Sequence, residues 1–157
     1  MGAKKVCVDA SLVLKLVLNE PDSGVAEALF ACWQAEGKTF VVPAFCPAEV
    51  DSVLRRKTVV GRRGGRLTPE QAEAAFEAAQ AIPLKTVAHP KLRRRAWELA
   101  RELGLPVVYD SYYLAVAELN NCEFWTADEK LARAVRPKIN YLHLLNEFLP
   151  PPEDQQG

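Results

Sequence analysis

The sequence predicts a single α/β domain in which a mostly parallel sheet is flanked by helices on both faces. Strand-like apolar segments alternate with helix-like segments along the whole chain, the pattern of parallel sheets. The chain has 157 residues, of which 49% are hydrophobic and 25% charged, as in an average globular domain. No internal repeat or long linker divides it. We therefore expect one domain over residues 1–149 and a disordered tail over 150–157.

The first third of the chain is predicted to hold two strands and three helices. Pro21 stops the first helix, and Gly37 closes the second, which Asp22 is placed to cap. The third helix ends in a loop rich in glycine and arginine, GRRGGR. The predicted strands are 4–9 and 39–43, and the predicted helices are 11–19, 22–36 and 45–60.

The rest of the chain continues the alternation. Thr68 begins a helix with a capping threonine, a proline in the first turn and Gln71 three residues after the cap. Gly104 closes the next helix, and the segment PVVYD then reads as a short strand. The predicted helices are 68–81, 89–104, 111–120 and 129–137, and the predicted strands are 83–88, 106–110, 122–128 and 139–144.

Three aspartates are predicted to follow strands: Asp9 after VCV, Asp110 after VVY and Asp128 after FWTA. In a parallel sheet, ligand sites form beyond the carboxyl ends of the strands. Glu49 lies on the apolar stripe of the third helix, with no lysine or arginine at helical spacing on that stripe. A carboxylate on a buried stripe needs a partner.

Each acid also has a structural explanation. Asp9 and Asp110 have the residue type of helix caps, and Thr126 to Glu129 has the form of a capping box that contains Asp128. Jointly, however, four carboxylates at one edge repel one another unless protons or cations intervene. Oxygen-rich clusters suit Mg²⁺ or Mn²⁺. The sequence therefore predicts a metal site.

Four motifs in order resemble the PIN-domain ribonucleases, and specifically the VapC-type toxins of prokaryotic toxin–antitoxin pairs. They are VDAS at 8–11, PAEVDSVLRR at 47–56, YDSYYLAVAE at 109–118 and TADEKLARA at 126–134. The resemblance implies a PIN-like domain that hydrolyses RNA phosphodiester bonds with one or two Mg²⁺ or Mn²⁺ ions. It further implies a homodimer and a cognate antitoxin protein as partner.

Carried over by motif, the acids of the catalytic metal site would be Asp9, Glu49, Asp110 and Asp128. Thr126 resembles the small hydroxyl residue of the family's pocket. Many relatives have asparagine three residues after the helix glutamate, where this chain has Ser52, so a supporting contact is in question. Ser11, beside Asp9, is a candidate for substrate contact or a helix-starting serine.

RNA binding requires cations, and the net charge is zero, with 20 basic and 20 acidic residues. From Arg55 to Arg66 the chain has six basic residues and no acid, and a second basic cluster follows at 91–95. We expect Arg55, Arg56 and Arg62 to contact RNA, although a solvated helix face is the alternative. Trp33 and Trp97 are predicted to lie in the core.

The remaining features indicate a cytoplasmic protein with no membrane span. The four cysteines form no CxxC pair, which favours free thiols over zinc or disulfides. The N-terminus leads directly into the first predicted strand, without the apolar core of a signal peptide.

Three other functions fit parts of the pattern. A catalytically inactive PIN scaffold that binds RNA or protein is favoured by Ser52. An aspartate-nucleophile phosphatase would need a second acid two residues after Asp9, where the chain has Ser11. A phospho-acceptor receiver domain would need paired acids after the first strand, and these are absent.

Overall fold

The computed structural model describes residues 4–59 and 66–150, along which strands and helices alternate. The strands are β1 (Lys5–Val8), β2 (Thr39–Pro43), β3 (Leu84–Val87), β4 (Glu123–Thr126) and β5 (Leu142–Leu144). The helices are α1 (Ala10–Val17), α2 (Ser23–Ala35), α3 (Cys46–Val59), α4 (Pro69–Ala81), α5 (Leu92–Leu103), α6 (Tyr109–Leu119) and α7 (Glu129–Val135). A single 3₁₀ turn, Leu145–Glu147, follows β5.

The strands form one sheet in the order β3-β2-β1-β4-β5, and every neighbouring pair is parallel. The chain passes from β1 through β2 to β3 at one edge of the sheet. It then crosses to β4 on the other side of β1 and ends with β5 at the opposite edge. Because crossovers between parallel strands are right-handed, α1 to α4 cover one face of the sheet and α5 to α7 cover the other. The predicted α/β class is confirmed.

The core is centred on β1, whose Val6, Cys7 and Val8 have no exposed surface. A strand covered on both faces reads as a continuous apolar run, which is how this segment reads in the sequence. Helix α6 packs against β1, β2 and β4. Trp33 is 3% exposed, so its predicted place in the core is confirmed.

The helix ends follow the predicted capping rules at two places. The Gln71 amide donates to the Thr68 hydroxyl at 3.1 Å, and the Thr68 amide donates to the Gln71 side-chain oxygen at 2.9 Å. Gly104 ends α5 with φ +66°, a conformation that glycine adopts without a Cβ clash.

Three predictions about local structure are wrong. Asp22 occupies the N-cap position of α2, but its side chain makes no capping hydrogen bond. Residues 106–108 form no strand; the chain instead enters α6 at Tyr109, and Val107 remains 50% exposed. A short apolar run does not by itself distinguish a strand from the entry to a helix. Trp97 is 60% exposed rather than buried. The buried stripe of α5 is Leu92, Ala96, Leu99, Ala100 and Leu103.

The glycine-rich loop at 60–65 lies outside the described residues, as does the predicted tail beyond Pro150. The domain boundary at residue 149 therefore stays a prediction. Within residues 4–59 and 66–150, no helix combines the length and apolar character needed to cross a membrane.

Candidate active site

Asp9 follows the central strand directly, and two hydroxyl groups hold its carboxylate. The hydroxyls of Thr126 and Ser11 donate to Asp9 Oδ2 at 2.6 and 3.0 Å. Asp9 is the N-cap residue of α1, but its side chain makes no capping hydrogen bond. The capping explanation therefore does not account for this carboxylate, which is only 8% exposed.

The residues that follow β4 are hydrogen-bonded to the same two hydroxyl groups. The amide of Ala127 donates to the Ser11 hydroxyl at 3.1 Å, and the amide of Asp128 donates to the Thr126 hydroxyl at 3.0 Å. Asp128 is exposed, and its Oδ1 accepts the Leu131 amide at 3.0 Å as the N-cap of α7. Asp128 thus combines a structural capping bond with a position at the site.

Asp110 lies in the first turn of α6 rather than at the end of a strand. Val108 is the N-cap residue, and Asp110 is the second residue of the helix. A carboxylate in the first turn is favoured by the helix dipole. No hydrogen bond from another described residue holds its oxygens.

Glu49 lies in the first turn of α3 and is held by a residue of α6. The buried phenol of Tyr113, on α6, donates to Glu49 Oε1 at 2.8 Å. Tyr113 was not predicted to have this role. Its spacing three residues after Asp110, which puts both on one side of a helix, was the available signal.

The four acids come from four different segments and line one cavity of about 640 Å³. Leu14, Ser52 and Arg56 also line it, and so do the rings of Phe45 and Tyr109. Because the cavity opens at the carboxyl edge of β1, the predicted juxtaposition of strand-end carboxylates is present, although Asp110 reaches it from a helix.

Burial in the cavity raises the pKa of three of the acids, Asp9, Glu49 and Asp110. Burial, and after it the charges of the other three acids, raise the pKa of Asp110 to about 6. Burial also raises the pKa of Asp9, against the hydrogen bonds from Thr126 and Ser11. Burial raises the pKa of Glu49, although the hydrogen bond from Tyr113 opposes the shift. The cavity therefore favours the protonated, neutral forms of these three carboxyl groups.

The donor set fits a hard divalent cation, since carboxylates and hydroxyls are the ligands that Mg²⁺ and Mn²⁺ take. Within the described parts of the chain, no three acidic, histidine or cysteine side chains are already drawn together around one point as a complete metal site. Mg²⁺ keeps several water ligands and is held by few carboxylates, so this looser arrangement is compatible with it.

The residues predicted to contact substrate occupy different surroundings. Ser11 and Arg56 line the cavity, whereas Arg55 is exposed and lies outside its lining. Thr126 has no exposed surface, so it acts on the cavity through Asp9. Arg62 lies outside the described residues.

A second group of acids surrounds Arg95, away from the cavity. Arg95 Nε donates to Glu118 Oε1 at 2.7 Å, and Nη2 donates to Glu118 Oε2 at 3.2 Å. Its Nη1 lies 3.4 Å from Glu98 and from Glu102. The Tyr141 hydroxyl donates to Glu118 at 3.2 Å. Hydrogen bonds to Glu118 raise the pKa of Arg95, so this basic residue is committed to the protein itself.

Comparison of the chain with known sequences gives one family. The model of the PIN domain matches residues 6–137. Ribonuclease VapC9 of Mycobacterium tuberculosis is 30% identical over 127 residues, which cover 81% of this chain and 88% of VapC9. Ribonuclease VapC3 of the same species is 32% identical over 134 residues, which cover 83% of this chain and 88% of VapC3.

Solved structures share the fold at lower identity. PAE2754 from Pyrobaculum aerophilum has a TM-score of 0.59 at 18% identity, covering 92% of this chain and 91% of PAE2754. VapBC2 from Rickettsia felis, crystallised with a DNA fragment from its promoter, has a TM-score of 0.62 at 16% identity, covering 89% of this chain and 98% of the matched chain. The chain therefore belongs to the PIN-domain family, and within it to the VapC type.

Proposed function

We propose that this protein is an endoribonuclease that requires Mg²⁺ or Mn²⁺, and that it is the toxin of a toxin–antitoxin pair. The observation that carries the proposal is the meeting of four carboxylates from separate segments in one cavity. Such a concentration of negative charge is favourable only with a bound cation or with protons. The names of the curated relatives support RNA as the substrate.

In this proposal Asp9, Glu49, Asp110 and Asp128 hold the metal. A divalent ion, when bound, activates water and neutralises charge on a phosphate. Asp9 is fixed in orientation by two hydroxyls, and Glu49 is fixed by the Tyr113 phenol. These hydroxyl groups orient the carboxylates, so the proposed ligands are already positioned before an ion binds.

The cavity also offers groups for the substrate. The guanidinium of Arg56 and the hydroxyl of Ser11 line the same space as the acids. Arg56 can pair with a phosphate next to the scissile one and offset the repulsion between RNA and the carboxylates. Arg55 and Arg62 are proposed as weaker, outer phosphate contacts.

We infer that the partner is a cognate antitoxin and that the protein is a homodimer acting in the cytoplasm. The VapC names of the relatives and the VapBC2 structure support the first inference. Four half-buried apolar residues on and after α1 support an interface with another chain. They are Leu14, Leu16, Val17 and Leu18. The free state of the four cysteines fits a reducing compartment.

The first test is cleavage by the purified full chain, freed of any partner. We expect cleavage of RNA with Mg²⁺ or Mn²⁺ and none with excess EDTA. The same ions should raise the melting temperature, since a ligand at about 100 times its Kd stabilises the folded state by about 2.7 kcal/mol. Cleavage that persists in EDTA would contradict the proposal.

The second candidate function is an inactive PIN scaffold. Two observations favour it: Ser52 lines the cavity where many relatives have asparagine, and the described acids form no complete metal site without rearrangement. Tight RNA or protein binding with no cleavage in either metal, and no thermal shift with either ion, would select this function. Replacement Ser52→Asn should then restore cleavage if the missing amide is the cause.

A further inference from the structure

A cleft with cationic and aromatic walls lies beside the acidic cavity, between the exposed side of α5 and the start of α6. It has a volume of about 740 Å³. Its lining residues are Pro90, Arg93, Arg94, Trp97, Val108 and Tyr112. No carboxylate of the described residues lines it. We call it the aromatic–cationic cleft.

Trp97 is the most unusual residue of this cleft. Its side chain is 60% exposed, although tryptophan is normally well buried. The buried stripe of α5 is complete without it, so packing of the helix does not require an aromatic ring at this position. A large ring presented to solvent beside a second ring, Tyr112, is suited to an aromatic ligand.

The two arginines are also available to a ligand. Arg93 and Arg94 are exposed, and neither forms an ion pair with a carboxylate in the described ranges. Their neighbour Arg95 is fully engaged with Glu118. The basic run at 91–95 is therefore divided: one arginine stabilises the fold, and two face the cleft.

The cleft adjoins the acidic cavity at the first turn of α6, although the two share none of their described lining residues. Val108 and Tyr112 line the cleft, whereas Tyr109 and Asp110 line the cavity. The ring of Phe45 packs edge-on against Tyr109 and against Tyr112, with centroids 5.5 Å apart in each case. A strand held at the acids can thus continue over aromatic surface into the cleft.

We propose that the aromatic–cationic cleft binds unpaired nucleotides of the RNA next to the cleaved phosphodiester, an inference that rests on the proposed function. Trp97 and Tyr112 stack on bases, and Arg93 and Arg94 contact phosphates. Aromatic stacking combined with cations along a groove is the way in which proteins hold single strands.

Charge favours RNA over a second copy of this chain as the occupant. A two-fold interface places the same surface patch of both subunits face to face. Centred on this cleft, it would bring the four arginines of two copies together without a carboxylate in the lining to neutralise them. An RNA backbone supplies the negative charge that the cleft lacks.

The test is the affinity of the full chain for a labelled, unstructured oligoribonucleotide, measured in EDTA by fluorescence anisotropy, with a gel to verify that the RNA stays intact. We expect Trp97→Ala to weaken binding about tenfold, the loss of one stacked base, and Trp97→Phe to keep most of the affinity. The double variant Arg93→Gln/Arg94→Gln should reduce the slope of log K against log salt by about 1.4, since each phosphate contact on a single strand contributes about 0.7.

Arg101→Gln is the matched control, because Arg101 is an exposed arginine of the same helix outside the cleft, and it should bind like the unchanged protein. Unchanged RNA affinity in Trp97→Ala and in the double variant would overturn the proposal that this cleft binds RNA, even if the protein cleaves RNA. A dimer that Trp97→Ala converts to monomer, with RNA affinity retained, would also overturn it. Binding that needs these residues in a protein that never cleaves RNA would support the cleft and refute the nuclease proposal.

Discussion

The protein contains two groups of acids that differ in how their charge is balanced. Around Arg95, Glu98, Glu102 and Glu118 share a cation that belongs to the same chain. In the cavity, four carboxylates meet, and among the described residues that line it Arg56 is the one cation. The negative charge of the first group is neutralised by a residue of the same chain, whereas that of the second requires added cations or protons.

This difference separates a structural role from a functional one. Carboxylates with a built-in partner contribute to folding, and their removal leaves a charge without its counterpart. In the cavity, burial and then the charge of neighbouring acids raise the pKa of Asp9, Glu49 and Asp110, so their ionised forms cost folding free energy when no cation is bound. The two groups should therefore respond in opposite ways when a charge is removed.

The largest expected effect is on catalysis. Asp110→Asn should reduce RNA cleavage in Mg²⁺ by more than about 100-fold, because it removes a charged oxygen of the proposed metal site and leaves the side-chain shape almost unchanged. Cleavage is measured as an initial rate on a labelled RNA. The matched control is Glu102→Gln, a carboxylate of the Arg95 group, which should cleave normally. Full activity in Asp110→Asn would remove Asp110 from the metal site.

A smaller effect is expected at the balanced group. Arg95→Met keeps the length of the side chain but leaves Glu118, which is half-buried, without its cationic partner. The substitution should lower the free energy of unfolding by about 1–2 kcal/mol. Urea denaturation followed by circular dichroism measures this. Arg101→Gln should change it by less than about 0.5 kcal/mol. Equal effects of the two substitutions would show that the Arg95 group is not stabilising.

The smallest effect concerns the metal-free protein. Burial and the neighbouring acids raise the pKa of Asp110 to about 6 in the folded state, above its unfolded value of about 3.9. The ionised group therefore costs stability above pH 6, and this cost disappears as the pH falls towards 4. In EDTA, Asp110→Asn should be more stable than the unchanged protein by about 1 kcal/mol at pH 7.5, after allowance for its partial exposure, and equally stable at pH 4. A variant that is less stable at pH 7.5 would contradict this account.

The sheet and the meeting of the acids could be predicted because both depend on local patterns. The apolar run before Asp9 identifies a central strand, and the capping box at Thr68 identifies a helix start. The strand predicted at residues 106–108 is absent, although β3 and β5 each leave a free edge in the sheet of the described residues. A short apolar run does not by itself distinguish a strand from a segment that leads into a helix.

Trp97 and Tyr113 show a second limit. An amphipathic helix favours a core position for Trp97, but helical spacing sets it apart from the stripe formed by Leu92, Ala96 and Leu99, and it is exposed. The bond between Tyr113 and Glu49 joins residues 64 positions apart and needed the packed structure. Contacts across helices are set by packing, which a linear pattern does not describe.

Helix α6 bears Asp110 in its first turn and reaches Glu49 through the phenol of Tyr113 one turn later. The positions of two of the four acids therefore depend on one helix, which also lines the neighbouring cleft through Tyr112. A shift of α6 along its axis would move both carboxylates together, so the spacing of these two proposed metal ligands depends on how α6 packs against the sheet.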